Sequence, residues 1–216
     1  MKRALALACW LLAAPAAAQN LPDLPDLGDL PPPSRYLAGY VSAGLGWSRP
    51  AGGHWGDGDT GFKTSPALAL AVSKRVDELL SYGAETCYGS RYSNRGVDGL
   101  QVKLLSLTPF VRASFPYGDS AYYGVFGAGL YHWQQQAYTA GGLRYGSDSG
   151  SSGGFNLGGG ASYPFLFGTR LALDLRWHHV LNVSGANLDL GSADSLNAMF
   201  IVTYGVWKAR NPLTSQ

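Results

Sequence analysis

The stretch TRLALDLRWHHV, residues 169–180, separates at period two into two unlike faces. Thr169, Leu171, Leu173, Leu175 and Trp177 fall on one side; Arg170, Ala172, Asp174, Arg176 and His178 fall on the other. Strict alternation over such a length marks a strand between two different surroundings. The first face is apolar. The second carries Arg170, Asp174 and Arg176 close together, and charges enter an ordinary core only when paired. A strand that is apolar outward and polar inward is what a transmembrane β-barrel requires.

Lys2 and Arg3 precede an apolar run, and the small residues Ala16, Ala17 and Ala18 come before Gln19. A charged start, an apolar stretch and an A-x-A site read as a secretory signal peptide over residues 1–18, with a mature chain from Gln19. Cys9 sits too early, inside the apolar run, for a lipoprotein site. Residues 19–35 include LPDLPDLGDLPPP, a Pro-rich tract expected to be an extended periplasmic tether. Export leaves Cys87 as the one remaining cysteine, so no intramolecular disulfide is expected.

Charged residues make up 14% of the chain, against about 25% in typical soluble domains. Glycine is abundant at 30 residues, and 13 tyrosines outnumber 8 phenylalanines. No apolar run is long enough for a transmembrane helix. The net charge of +2, without a basic stripe, argues against nucleic acid.

Alternation marks eight strands, at about 36–47, 62–73, 78–92, 100–115, 120–136, 154–163, 169–180 and 195–207. In strand two, Phe62 and Thr64 are read as lipid-facing, Lys63 as inward, and Pro66 as an interruption of the ladder. In strand three, Glu85, Cys87 and Arg91 point inward. In strand four, Leu100, Val102 and Leu104 share one parity while Leu105, Leu107 and Val111 share the other. That slip predicts a β-bulge near Leu104 and Leu105. In strand five, Tyr123, Val125, Tyr131 and Trp133 are read as outward, and His132 and Gln134 as inward. Long loops are expected at 48–61, 93–99, 137–153 and 181–194, and short turns at 74–77, 116–119 and 164–168. This asymmetry predicts an all-β, up-and-down, eight-stranded antiparallel transmembrane barrel over residues 36–207, with a short polar tail at 208–216. The long loops then lie outside and both ends in the periplasm. A barrel of eight strands is filled by its own side chains.

The runs YYGVFGAGLYHW (122–133), GFNLGGGASYPF (154–165) and LALDLRWHH (171–179) and the terminal FIVTYGVW (200–207) resemble small eight-stranded bacterial outer-membrane β-barrel proteins. Such proteins often end on an aromatic residue, whereas here Trp207 is followed by KARNPLTSQ. The resemblance implies an integral bacterial outer-membrane location in contact with lipid and lipopolysaccharide, and the activities of such proteins vary widely.

Glu85, Arg112, Asp174 and Arg176, with Lys103 and Arg170 nearer the ends, are read as a lumen ion-pair network with a structural role. A gated path for small solutes is the alternative. Lipid A deacylase barrels are similar in size and place a His two residues before a Ser. The residues after His178 and His179 do not match that pattern, and Ser184 lies too far along, so no catalytic residues are expected. His54, Trp55 and the Asp57-Gly58-Asp59 stretch lack the acidic set that a hard cation needs, and are read as a solvated tip. No metal or cofactor site is expected. A secreted lipocalin-like carrier would place apolar residues inside and polar ones outside, the reverse of the pattern here. The expected role is structural or a surface interaction through outer loops with an extracellular ligand. The barrel is expected to be monomeric, non-enzymatic and without an open channel, with lipid A hydrolysis as the competing class.

Overall fold

A computed structural model describes residues 39–56, 58–77, 79–166 and 169–207. The expected signal peptide, tether and polar tail, and the expected start of the first strand, lie outside the described residues.

Eight long strands close into one barrel: β1 (Gly39–Ala51), β2 (Ser65–Arg75), β3 (Leu80–Ser93), β4 (Gln101–Tyr117), β5 (Ser120–Gln135), β8 (Asp148–Pro164), β9 (Thr169–Ser184) and β10 (Asp189–Trp207). Each is antiparallel to its neighbours. The meander closes where β10 meets β1, with Leu45 opposite Phe200 and Trp47 opposite Ala198. The remaining strands, β6 (Tyr138–Ala140) and β7 (Leu143–Tyr145), form a separate hairpin above the rim. Closure matters in lipid, where every backbone polar group must find an internal partner.

The outer face carries a continuous apolar belt. Leu45, Leu68, Leu107, Phe126, Leu157, Leu173 and Phe200, from seven different strands, are each about half exposed or more. Left in water, each such side chain forgoes about 1.5–3 kcal/mol. A belt of this extent makes the structure a membrane-spanning barrel and rules against the carrier. Tyr82, Phe115, Tyr117, Tyr122, Tyr163 and Tyr204 crowd the outer surface at the short-turn end, and Trp47 and Trp177 stand at the other. Amphipathic rings favour the two membrane–water boundaries.

Two short turns are defined by local chemistry. Between β4 and β5 only Gly118 and Asp119 intervene, and Gly118 has φ 57°, a region open to glycine without steric penalty. Between β2 and β3 the Asp77 carboxylate accepts hydrogen bonds from the backbone N–H of Leu79 and of Leu80, both at 2.7 Å. These donors hold the Asp77 carboxyl below its ordinary range. A depressed pKa stabilises the fold above the unfolded-state value, and that stabilisation is lost as pH falls through the folded-state value. The stability advantage of wild type over Asp77→Ala is therefore expected to shrink between pH 7 and pH ~3. Denaturant titrations giving the same difference at both pH values would contradict this.

Several interior assignments differ from the sequence reading. The register of β4 is unbroken against β5 through Leu104 and Leu105, so no bulge lies there. Val102, Leu104, Ser106, Thr108 and Phe110 all point inward. What changes along β4 is the character of the lumen, from apolar to polar. The register shift lies on β3, between Gly89 and Tyr92, where three steps oppose two on β4. It turns Arg91 outward and buries Tyr92. In β5, Tyr123, Val125, Tyr131 and Trp133 face inward and His132 and Gln134 face out. Both faces of this strand are apolar, because Tyr122, Phe126 and Leu130 line the outside, so alternation alone could not orient it. Lys103 shares the outward parity of Leu105.

The outer connections are also more ordered than expected. The expected loop at 137–153 is the β6–β7 hairpin together with the start of β8, which pairs with β5 as far as Gln135 opposite Asp148. The expected loop at 181–194 is the extended ends of β9 and β10, with register shifts around Gly191. Strand β2 starts only at Ser65; Phe62 is buried and Lys63 exposed. The one-turn helix α1 (Gly53–Gly56) exposes His54 but buries Trp55. This region is therefore no simple solvated tip; Asp57 lies outside the described residues.

Candidate functional site

The lumen is filled in layers by the inward parity of each strand. At the end away from the short turns, Trp55 packs against Phe62 and Tyr92 with ring centroids 4.6 and 4.8 Å apart. The Tyr92 hydroxyl donates to Ser48 Oγ at 2.6 Å. Tyr131, Trp133, Val102, Val180 and Val183 complete this apolar plug and are all essentially inaccessible. Bulky rings at this level explain why Leu100, Val102 and Leu104 point inward.

A polar layer lies beneath. The Tyr131 hydroxyl is 3.1 Å from His178 Nδ1, Asn156 Nδ2 donates to Thr108 Oγ1 at 3.2 Å, and Asn197 Nδ2 meets the buried free thiol of Cys87 at 3.5 Å. Below these, Arg176 on β9 reaches across the barrel to β3. Its Nη1 donates to Glu85 Oε1 at 2.5 Å. Its Nη2 donates to Asp174 Oδ2 at 3.2 Å, and its Nε lies 2.8 Å from Asp174 Oδ1 in an ion-pair contact. Glu85, Asp174 and Arg176 are 4%, 1% and 2% exposed, so water does not screen them.

Arg112 joins this group at one remove. The Tyr123 hydroxyl donates to Asp174 Oδ2 at 2.9 Å, and the Arg112 guanidinium lies over the Tyr123 ring at 4.5 Å. No carboxylate among the described residues is within ion-pair distance of Arg112. Two cations and two anions thus occupy the layer, linked in the order Glu85, Arg176, Asp174, Tyr123 and Arg112. Glycines on β8 make the room. Gly158 pairs with Arg176 and Gly160 with Asp174. A Cβ at Gly158 would meet Arg176 Cγ at 2.7 Å, and one at Gly160 would meet the Tyr123 hydroxyl at 2.6 Å. Tyr123 and the glycine run were not read as parts of the site. The signal was present as the glycine run 158–160, two of whose members share the inward parity.

The adjacent histidines face opposite ways. His178 is buried in the lumen, while His179 is on the outer face, its Nδ1 2.5 Å from Asp194 Oδ1. Also on the outer face, His132 Nδ1 is 3.1 Å from Ser151 Oγ. Phe155 is opposite His179 on β8. Ser151 lies four residues further along, roughly 13 Å at strand rise. A hydroxyl, a base and an acid are thus split between two pairs instead of forming one relay.

No family model matches the chain, and no curated protein matches it by sequence. Among solved structures, it is similar to Neisserial surface protein A, with 16% identity and a TM-score of 0.55, over 78% of this chain and 97% of that one. The fold is that of the small outer-membrane β-barrels. The barrel is also similar to OprG from Pseudomonas aeruginosa (10% identity, 80% and 98% of the two chains, TM-score 0.47). A third similar structure is Ail, the attachment invasion locus protein of Yersinia pestis (14% identity, 78% and 99%, TM-score 0.43).

Proposed function

We propose that this barrel resides in the bacterial outer membrane, in contact with lipid and lipopolysaccharide, as a closed, monomeric, non-enzymatic scaffold. Its outer segments make contacts at the cell surface. The observation that supports this reading is the apolar plug stacked on a charged layer across the lumen. The β6–β7 hairpin, with Leu143 exposed at its tip and the Tyr138 and Tyr145 rings stacked at 4.8 Å, is held out on a rigid base and is suited to an extracellular ligand. On sequence alone, export through residues 1–18 and a periplasmic tether at 19–35 belong to the same proposal.

Two measurements test it. In planar bilayers the protein is expected to give no steady conductance. Lipid A from cells with and without the protein is expected to have the same mass. Steady ion conduction would replace the scaffold reading with solute passage. Loss of an acyl chain that requires His179 would replace it with lipid A hydrolysis.

A further inference from the structure

Among the described residues, the end of the lumen opposite the apolar plug is not filled. A cavity of about 340 Å³ lies below the charged layer, at the end that carries the short turns and the start of β1. Among the described residues its lining holds three arginines, Arg75, Arg112 and Arg170, against one acidic residue, Asp119. The three cations come from three different strands, β2, β4 and β9, so they converge on one space from separate sides.

Two of these cations are poorly matched by the protein itself. The two acids nearest Arg112, Glu85 and Asp174, are both held by Arg176. Arg112 keeps its ring contact with Tyr123, but its Nε is buried without an acceptor. The Arg112 side chain lines the cavity without a carboxylate of its own among the described residues, so an incoming anion would meet a cation that the protein has not paired. Among the described residues Arg170 bonds neutral oxygens: Ser162 Oγ at 3.2 Å, the Ser162 carbonyl at 3.3 Å and the Asp119 carbonyl at 3.4 Å. The hydroxyls of Ser73, Ser81 and Ser114 line the same space.

We propose that this cavity binds a phosphate group, as inorganic phosphate, a small phosphomonoester or a lipid headgroup, with Arg112 and Arg170 as its anchors. Guanidinium groups pair with phosphate oxygens through charge-assisted hydrogen bonds. Donors arriving from several strands suit a tetrahedral anion better than a planar carboxylate. The site faces the opposite end from the surface in the proposed function and does not depend on that reading.

The test uses the full chain in dodecyl maltoside micelles, which carry no phosphate, titrated calorimetrically with inorganic phosphate against chloride of equal ionic strength. Saturable binding is expected, weakened about tenfold or more in Arg112→Gln. Arg170→Gln, at the cavity mouth and outside the ion-paired layer, serves as the second variant and is expected to weaken binding in the same direction. Heat-modifiable gel migration checks that each variant is folded. Phosphate binding that disappears when phosphatidylglycerol is added to the micelles identifies a lipid headgroup as the occupant, and binding retained with the lipid present identifies a free solute; either supports the site. No saturable binding to wild type, or unchanged affinity in both folded variants, overturns it.

Discussion

Arg176→Leu is expected to lower the unfolding free energy by about 3–5 kcal/mol, the cost of breaking a buried ion pair by removing one partner. The reason is geometric. Arg176 is the only described cation in ion-pair contact with either Glu85 or Asp174, and it serves both. The substitution leaves two carboxylates in a site that water barely reaches. Arg112 stands behind the Tyr123 ring and is separated from both acids. Leucine is shorter than arginine and keeps the Cγ that lies against Gly158, so the loss is chiefly electrostatic. Removing the acids together with the base, as Glu85→Gln, Asp174→Asn and Arg176→Leu in one chain, is expected to restore most of the stability, because no uncompensated charge remains. Denaturant unfolding in detergent micelles reads both effects. If Arg176→Leu unfolds at the same denaturant concentration as wild type, the charged layer does not stabilise the barrel.

The second large effect belongs to the apolar plug. Trp133→Ala is expected to cost about 3–5 kcal/mol, because the ring is 1% exposed and its removal leaves a cavity in a packed lumen. The surroundings cannot close around the gap. Gly150 and Gly185 lie against the ring, where a Cβ on either would approach it to 2.7 and 2.6 Å, and neither has a side chain to move in. The barrel is nonetheless expected to stay electrically silent, since the Arg176 layer still crosses the lumen. Conductance is expected only when Trp133→Ala and Arg176→Leu are combined, as two barriers in series require. A single variant that conducts in planar bilayers would show that only one barrier exists.

The fold class was legible in the sequence because alternation in β2, β9 and β10 sets apolar residues against small or charged ones. A two-residue period with such contrast has one solution in lipid. Leu171, Leu173 and Leu175 outward and Asp174 and Arg176 inward followed from residues 169–180 alone. Where both faces were apolar, the period lost its information. Tyr123, Tyr131 and Trp133 could be turned inward only by knowing that the outer lumen is an apolar plug, a property of eight strands together. The slip read at Leu104 and Leu105 has the same origin: the surroundings of β4 change along the lumen while its register does not. The true register shift between Gly89 and Tyr92 carries no sequence mark that distinguishes it from regular strand.

Glu85, Arg112, Asp174 and Arg176 could be named from parity, Arg91 and Lys103 were turned the wrong way by it, and parity by itself fixed no partner. Glu85 and Arg176 are 91 positions apart and on strands that do not pair, so only closure of the barrel brings them within 2.5 Å. Closure likewise left Arg112 without a carboxylate and placed it, with Arg75 and Arg170, around one cavity. Local sequence determined which side of the wall each alternating residue takes; the distance across the closed barrel decided which of them meet.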